Sequence, residues 1–341
     1  MIFALIVLVL LGISVLFNLG HFMRGLVPMN VSGVRAVGPR LEEVTTEDND
    51  SALKIAVVHV DGIITDRALD QGGFGMVEVI KSQLKRAAED DKVKAVILKV
   101  DSPGGEVMAS DEISRAIGEF QAKLRGKPVV CSMGSLAASG GYYVSAPCRW
   151  IVANDLTITG SIGVIMSGWN YRGLMDKVGV RPQTFKSGKY KDMLSGSREP
   201  DSITQEERDM VQALINETYG RFTNVVATGR EWAREKNKDK GRALIEGWAD
   251  YADGRILSGK EAFERGFVDE LGTFDDAVKR AKRIADVRNA NLIEYQQRFD
   301  ISDLFRLFSQ TQTKAVKVDL GLEVPKLQAG RLYFLSPTFL H

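Results

Sequence analysis

The most apolar stretch of the chain comes first. Residues 1–17 (MIFALIVLVLLGISVLF) carry no charged side chain, and the first to follow is Arg24. As a helix rising about 1.5 Å per residue, Met1 to Phe22 reaches about 33 Å, enough to cross a bilayer core of about 30 Å. A cleavable signal peptide would have basic residues before the apolar core and small residues at the cut, and Val15-Leu16-Phe17-Asn18-Leu19 has neither. The pattern predicts an uncleaved transmembrane anchor over residues 1–24. Arg24, Arg35 and Arg40 follow the span and no basic residue precedes it, a bias that by itself keeps the body in the cytoplasm.

Residues 25–52 read as a linker, with Pro28, Gly33, Gly38, Pro39 and an acidic patch from Glu42 to Asp50. The texture then changes. Lys54–Ile64, Val93–Val100 and Pro128–Met133 are continuous apolar runs, and Val77–Asp90 and Glu106–Leu124 between them have helical spacing. Strands apolar throughout, alternating with helices, predict an α/β domain: a parallel sheet covered on both faces by helices. Ala138–Ala146, Trp150–Ala153 and Pro182–Phe185 continue the alternation. After Pro200 the chain turns mainly helical, with capping boxes at Thr204/Glu207, opening a helix to about Arg230, and at Ser258/Glu261. The predicted organisation is an anchor (1–24), a linker (25–52), an α/β domain (53–290) and a C-terminal extension (291–341) without strong periodicity.

Composition narrows the chemistry. The 341 residues carry 45 Lys and Arg against 44 Asp and Glu, so there is no basic surplus of the kind that binds nucleic acid. Cys131 and Cys148 are too few for a disulfide framework or a four-thiolate zinc site. Only His21, His59 and His341 could serve as histidine bases, and none has a setting that suggests a Ser-His-Asp triad or a histidine metal centre. Gly254 to Lys260 has the spacing of a phosphate-binding loop, but Glu261 stands where a magnesium-binding hydroxyl is required, and the capping box accounts for the same residues. No cofactor is expected.

Two glycine-rich turns remain. Gly134 to Tyr143 sets Ser139 among small residues where a strand gives way to a helix. Ser139 is either a helix N-cap or a nucleophile at the positive end of the helix dipole. Asp101-Ser-Pro-Gly-Gly105 ends the preceding strand, and in a parallel sheet both turns emerge at carboxyl ends, where sites form. Backbone N–H groups at Gly104 or Gly105 either close a plain turn or serve as an oxyanion hole. With histidine scarce, a lysine is the available base, and Lys186, Lys189 and Lys191 cluster after Phe185.

These motifs, with Thr159-Gly-Ser-Ile-Gly-Val164, Ser187-Gly-Lys-Tyr-Lys-Asp192, Asp253-Gly-Arg-Ile-Leu-Ser-Gly-Lys-Glu-Ala262 and Gly266-Phe-Val-Asp-Glu-Leu-Gly272, together resemble the signal peptide peptidase A family in its short, single-copy form. The likeness runs from about Lys54 to Asp286. It implies a Clp-protease/crotonase-like fold with a helical C-terminal part, and a membrane-bound serine endopeptidase with a Ser-Lys dyad. It further implies Ser139 as nucleophile, Lys191 as base, Ser161 as the hydroxyl positioning the lysine, and the N–H groups of Gly105 and Gly140 as oxyanion donors. Members act on remnant signal peptides, have their catalytic body outside the cytoplasm and assemble as rings. The expected partners are therefore hydrophobic peptides, membrane lipid at the N-terminal helix and further copies of the chain, and no nucleic acid. An apolar cleft entrance of Leu136, Val164 and Ile165 is expected, with a preference for small or apolar residues. The competing readings are a crotonase-type acyl-CoA enzyme and a non-catalytic membrane-tethered scaffold.

Overall fold

A computed structural model describes residues 38–67, 74–123, 127–238, 240–297 and 333–335. The expected anchor and most of the C-terminal extension lie outside these residues. Among the described residues no helix is long and apolar enough to cross a membrane.

The continuous apolar runs become central strands because both of their faces are covered. In β2 (Lys54–Asp61) and β3 (Val93–Ser102), side chains alternate between two separate clusters. Ala56, Val58 and Val60 join Val96, Leu98 and Val100 beneath α1 (Met76–Glu89) and α2 (Val107–Lys123). Ile55, Val57, Ala95 and Ile97 face the other way, onto Ala277, Val278 and Ala281 of α7 (Phe274–Ile284). Helix α1 buries Val77, Ile80, Leu84 and Ala87, the spacing of one helical stripe.

The main sheet runs β1 (Leu41–Glu47), β10 (Asn291–Gln297), β2, β3, β5 (Val129–Ala138), β6 (Trp150–Ala153) and β9 (Glu270–Leu271), with β7 (Ile158–Gly160) beside β5 and β8 (Ile256–Ser258) beside β7. Its core, from β10 through β2, β3, β5 and β6 to β9, is parallel. Strand β7 runs parallel to β5, and β8 antiparallel to β7. A second sheet pairs β4 (Gly104–Glu106) with β11 (Tyr333–Leu335). The α/β architecture agrees with the sequence expectation.

The structure also differs from that expectation. Residues 41–47, read as linker, form the edge strand β1 (Leu41–Glu47), antiparallel to β10, and Lys54 ties this edge down through Glu43 and Asp90 at 2.6 and 3.0 Å. An edge strand buries little, so polar composition concealed it. Strand β10 belongs to the sheet rather than to an extension. Residues Pro182–Phe185 form no strand: none of the described strands pairs with them, Pro182 lacks an N–H, and Phe185 is 87% exposed. Both capping boxes are present, at the starts of α5 (Gln205–Lys236) and α6 (Gly259–Glu264), and the Glu261 carboxylate accepts from Ser258 N at 3.0 Å at the start of α6.

Helix α5 is held to the sheet by a buried ion pair. Arg230 bonds to Asp269, with each side chain 1% exposed, and also donates to Cys148 O at 3.2 Å. The same carboxylate accepts from Ile151 N at 2.8 Å and from Arg242 N at 3.2 Å. Asp269→Ala strands a buried guanidinium and two amides, so it is expected to lower unfolding free energy by about 3–5 kcal/mol, measured by chemical denaturation.

Candidate active site

Strands β5 and β7 end side by side, with Ala138 opposite Gly160. The next residue on each is a serine, and both serines have left-handed backbone: Ser139 at φ 55° and Ser161 at φ 49°. Residues other than glycine avoid this region, and such strain persists only where the surroundings enforce it. Here the Ser139 N–H donates to Gly160 O at 2.8 Å, and the Ser161 N–H to Arg255 O at 2.7 Å. The turn at Ser139 leads into the six-residue helix α3 (Gly140–Ser145), whose first bond runs from Tyr143 N to Ser139 O at 2.8 Å.

The N-cap alternative for Ser139 does not hold. Its side chain makes no capping bond, and the hydroxyl is buried without a hydrogen-bond partner among the described residues. A buried, unpartnered hydroxyl on strained backbone at a helix start marks Ser139 as a candidate functional position. No stabilising bond accounts for it.

The second glycine turn meets this one directly. Ser102 Oγ accepts from Gly104 N at 3.1 Å and donates to Gly62 O at 2.6 Å, which folds the chain between β3 and β4. A Cβ on Gly104 would lie 2.6 Å from Gly140 N, and one on Gly140 would lie 3.1 Å from Gly105 N. The amides of Gly105 and Gly140, both expected as oxyanion donors, thus converge beside Ser139. Ser161 is 4% exposed and lines an open cavity of about 410 Å³ together with Val164, Ile165, Tyr219 and Asp253. Of the expected cleft residues, Val164 and Ile165 face this cavity, while Leu136 is half-buried on β5 beside β7.

The three lysines have different settings. Lys186 pairs with Asp192 at 2.7 Å, and Lys189 with Glu206 at 2.8 Å, which pushes the Lys189 amine up from its ordinary pKa. The Asp192 carboxyl is held low by its bond to Lys186 and by nearby Arg198. Among the described residues Lys191 makes no ion pair, and its neighbour Asp192 is engaged by Lys186 and Arg198. Lys191 is exposed on an irregular segment, and no hydrogen bond links it to Ser139 within the chain. His59 contacts Glu294 and Asp61 at 3.0 and 3.3 Å and takes no part in the serine's surroundings. Cys131 is buried and donates to Ser145 Oγ at 3.2 Å, as a packed strand cysteine does. Sequence reasoning missed β11, which lies along Gly104–Glu106, because residues 299–341 show no periodicity.

The comparisons with known proteins fit this arrangement. The model of peptidase family S49 matches residues 121–288. A protein of Enterococcus faecium named as a signal peptide peptidase, SppA, is 38% identical over 260 residues, covering 75% of this chain and 71% of its own length. A protein of Synechocystis named as a protease is 39% identical over 271 residues, covering 79% of this chain and 88% of its own. Protease 4 of Haemophilus influenzae is 36% identical over 241 residues, 71% of this chain but 36% of the longer relative. The chain belongs to peptidase family S49, the signal peptide peptidase A family, and is a serine endopeptidase. Membership sets aside the acyl-CoA enzyme and scaffold readings.

Because Ser139 caps nothing, Ser139→Ala is expected to leave thermal stability unchanged or slightly raised. Ser139→Gly, which relieves the positive φ, is expected to gain about 1 kcal/mol. Thermal melts of the two variants beside the parent check this; a clear loss for Ser139→Ala would restore a capping role.

Proposed function

We propose that this serine endopeptidase cleaves remnant signal peptides and other hydrophobic peptides through a Ser139–Lys191 dyad. The observation that carries the reading is the Ser139 hydroxyl: buried, unpartnered, on strained backbone, and beside the converging amides of Gly105 and Gly140. Ser139 Oγ attacks the peptide carbonyl, and the oxyanion is held by those two N–H groups. Lys191, in its neutral form, takes the hydroxyl proton and returns it to the leaving amine. Ser161 offers a hydroxyl to orient the amine without stabilising its charge as a carboxylate would. The acyl-enzyme ester is then hydrolysed by water.

The settings of the lysines support Lys191 over its neighbours, since Lys186 and Lys189 are both committed to carboxylates. Lys191 approaches Ser139 in an assembly of several copies, in keeping with the ring-shaped oligomers of the family. The segment bearing it supports that reading: Trp169, Leu174, Val178, Phe185 and Leu194 are each more than half exposed in the single chain. Residues 1–24 form the single-pass anchor, and the body lies outside the cytoplasm, following the family pattern rather than the local charge bias. The substrate class is supported by the name of the Enterococcus faecium relative.

Purified Ser139→Ala and Lys191→Ala proteins are expected to lose peptide turnover by about a thousandfold or more, while Lys189→Ala and Lys186→Ala keep most of it. A serine-directed fluorophosphonate should form its adduct on Ser139, located by mass mapping. Turnover retained by Lys191→Ala and lost by Lys189→Ala would require the dyad to be reassigned.

A further inference from the structure

We propose that Ser102 is the positioning residue of the oxyanion hole: its hydroxyl, held between Gly104 N and Gly62 O, aims the Gly105 N–H at the carbonyl under attack. The proposal rests on the reading of Ser139 as nucleophile and of Gly105 and Gly140 as oxyanion donors.

A backbone donor is aimed by the other half of its own peptide. Among the described residues no peptide bond is cis. In a trans peptide the C=O and the N–H point in opposite directions, so whatever holds the Gly104 carbonyl also sets where the Gly105 N–H points. That carbonyl accepts from Ile64 N at 2.9 Å, and Glu106 N donates to Ile64 O at 2.8 Å. The Gly105 N–H is thereby turned away from Ile64. The Gly140 donor is aimed in the same manner, because the carbonyl of its peptide, Ser139 O, is drawn into α3 by Tyr143 N at 2.8 Å. The Gly140 donor therefore needs only its own helix. The Gly105 donor depends on residues 62–64, a separate part of the chain beyond the end of β2.

Ser102 joins these two parts. It ends β3 and is wholly buried. Its Oγ donates to Gly62 O at 2.6 Å and accepts from Gly104 N at 3.1 Å. One side chain thus grips both the segment that holds the Gly104 carbonyl and the residue that bears it. Gly62 N is tied to the same strand end, donating to Asp101 O at 2.9 Å. The site requires a group that donates once and accepts once; a carboxylate has no proton to give, and an ammonium has no lone pair to offer. Ser102 is itself fixed by β5, in register with Ala137. Its carbonyl oxygen lies 2.7 Å from where a Cβ on Gly141 would stand, so its backbone also touches the turn that bears Gly140. Ser102 acts through the two turns and not on the substrate, which makes it a positioning residue.

The test uses the purified full-length chain, a fluorogenic peptide that it cleaves, and the aldehyde and alcohol of the same peptide as inhibitors. The aldehyde carbon bonds to Ser139 Oγ and turns its carbonyl oxygen into an oxyanion, whereas the alcohol binds without reacting. Active sites are counted by fluorophosphonate labelling carried to completion. In Ser102→Ala, kcat per site is expected to fall about tenfold to a hundredfold with KM within about twofold, because the lost interaction belongs to the transition state. Affinity for the aldehyde should fall by a similar factor while affinity for the alcohol holds. Should Ser102→Ala not fold, Ser102→Cys, whose thiol is a weaker donor and acceptor, should show the same split to a smaller degree. Full turnover per site in the variant that folds, or an equal loss of aldehyde and alcohol affinity, would overturn the proposal. If the parent chain bound the aldehyde no more tightly than the alcohol, the reading of Ser139 and its oxyanion donors would fail instead, so the two failures are told apart.

Discussion

Two backbone turns touch in this protein because neither carries a side chain where they meet. A Cβ on Gly104 would fall 2.0 Å from one carbonyl oxygen and 2.6 Å from the Gly140 amide, and one on Gly105 would fall 2.0 Å from Ile64 O. Gly104 also needs a φ of 102°, which side chains disfavour. Any larger residue would push the β3–β4 turn off the start of α3 and separate the Gly105 and Gly140 amides. The register of β4 with Ile64 on one edge and β11 on the other depends on the same contact. A site of this kind is made from backbone, and the side chains of the two turns serve chiefly by being absent.

The rest of the fold holds that contact under strain. The parallel pairing of β5 with β7 brings Ser139 and Ser161 to adjacent carboxyl ends, each in a conformation costing of the order of 1–3 kcal/mol. Helix α5 is fixed through Arg230 and Asp269, and Phe222, Val226, Arg230 and Ala233 form one buried stripe along it. The ion pair that anchors the helix therefore also sets the depth of Phe222, two turns earlier, against Tyr143. Gly229 allows this close approach, since a Cβ there would stand 2.7 Å from Ala146 O.

The segment between Gly168 and Pro200, regular only in the short helix α4 (Arg172–Lys177), follows a different principle. Several of its charges are paired within the segment or with α5, through Lys186–Asp192, Lys189–Glu206 and Arg198–Glu207, while Lys191 is left out of these pairs. Its large apolar side chains are exposed. In this pattern the paired charges set the local shape while large apolar side chains stay at the surface.

The sequence by itself determined the central strands, the helices over them, both capping boxes and the glycine turns. Each is fixed by local chemistry: apolar runs with period two or 3.6, a hydroxyl three residues before a carboxylate, or a backbone that must bend. Its motifs also carried the family. It did not reveal β1, because an edge strand needs little apolar surface, and it wrongly made Pro182–Phe185 a strand, because apolar residues do not specify a partner. It left Ser139 open between cap and nucleophile, and the structure removes the cap, since the side chain makes no capping bond. The three-ring cluster of Tyr143, Phe222 and Phe334 joins residues far apart in the chain. Only the tertiary structure decided that meeting, since it depends on the sheet order, the seating of α5 and the edge left open along β4, none of which is encoded locally.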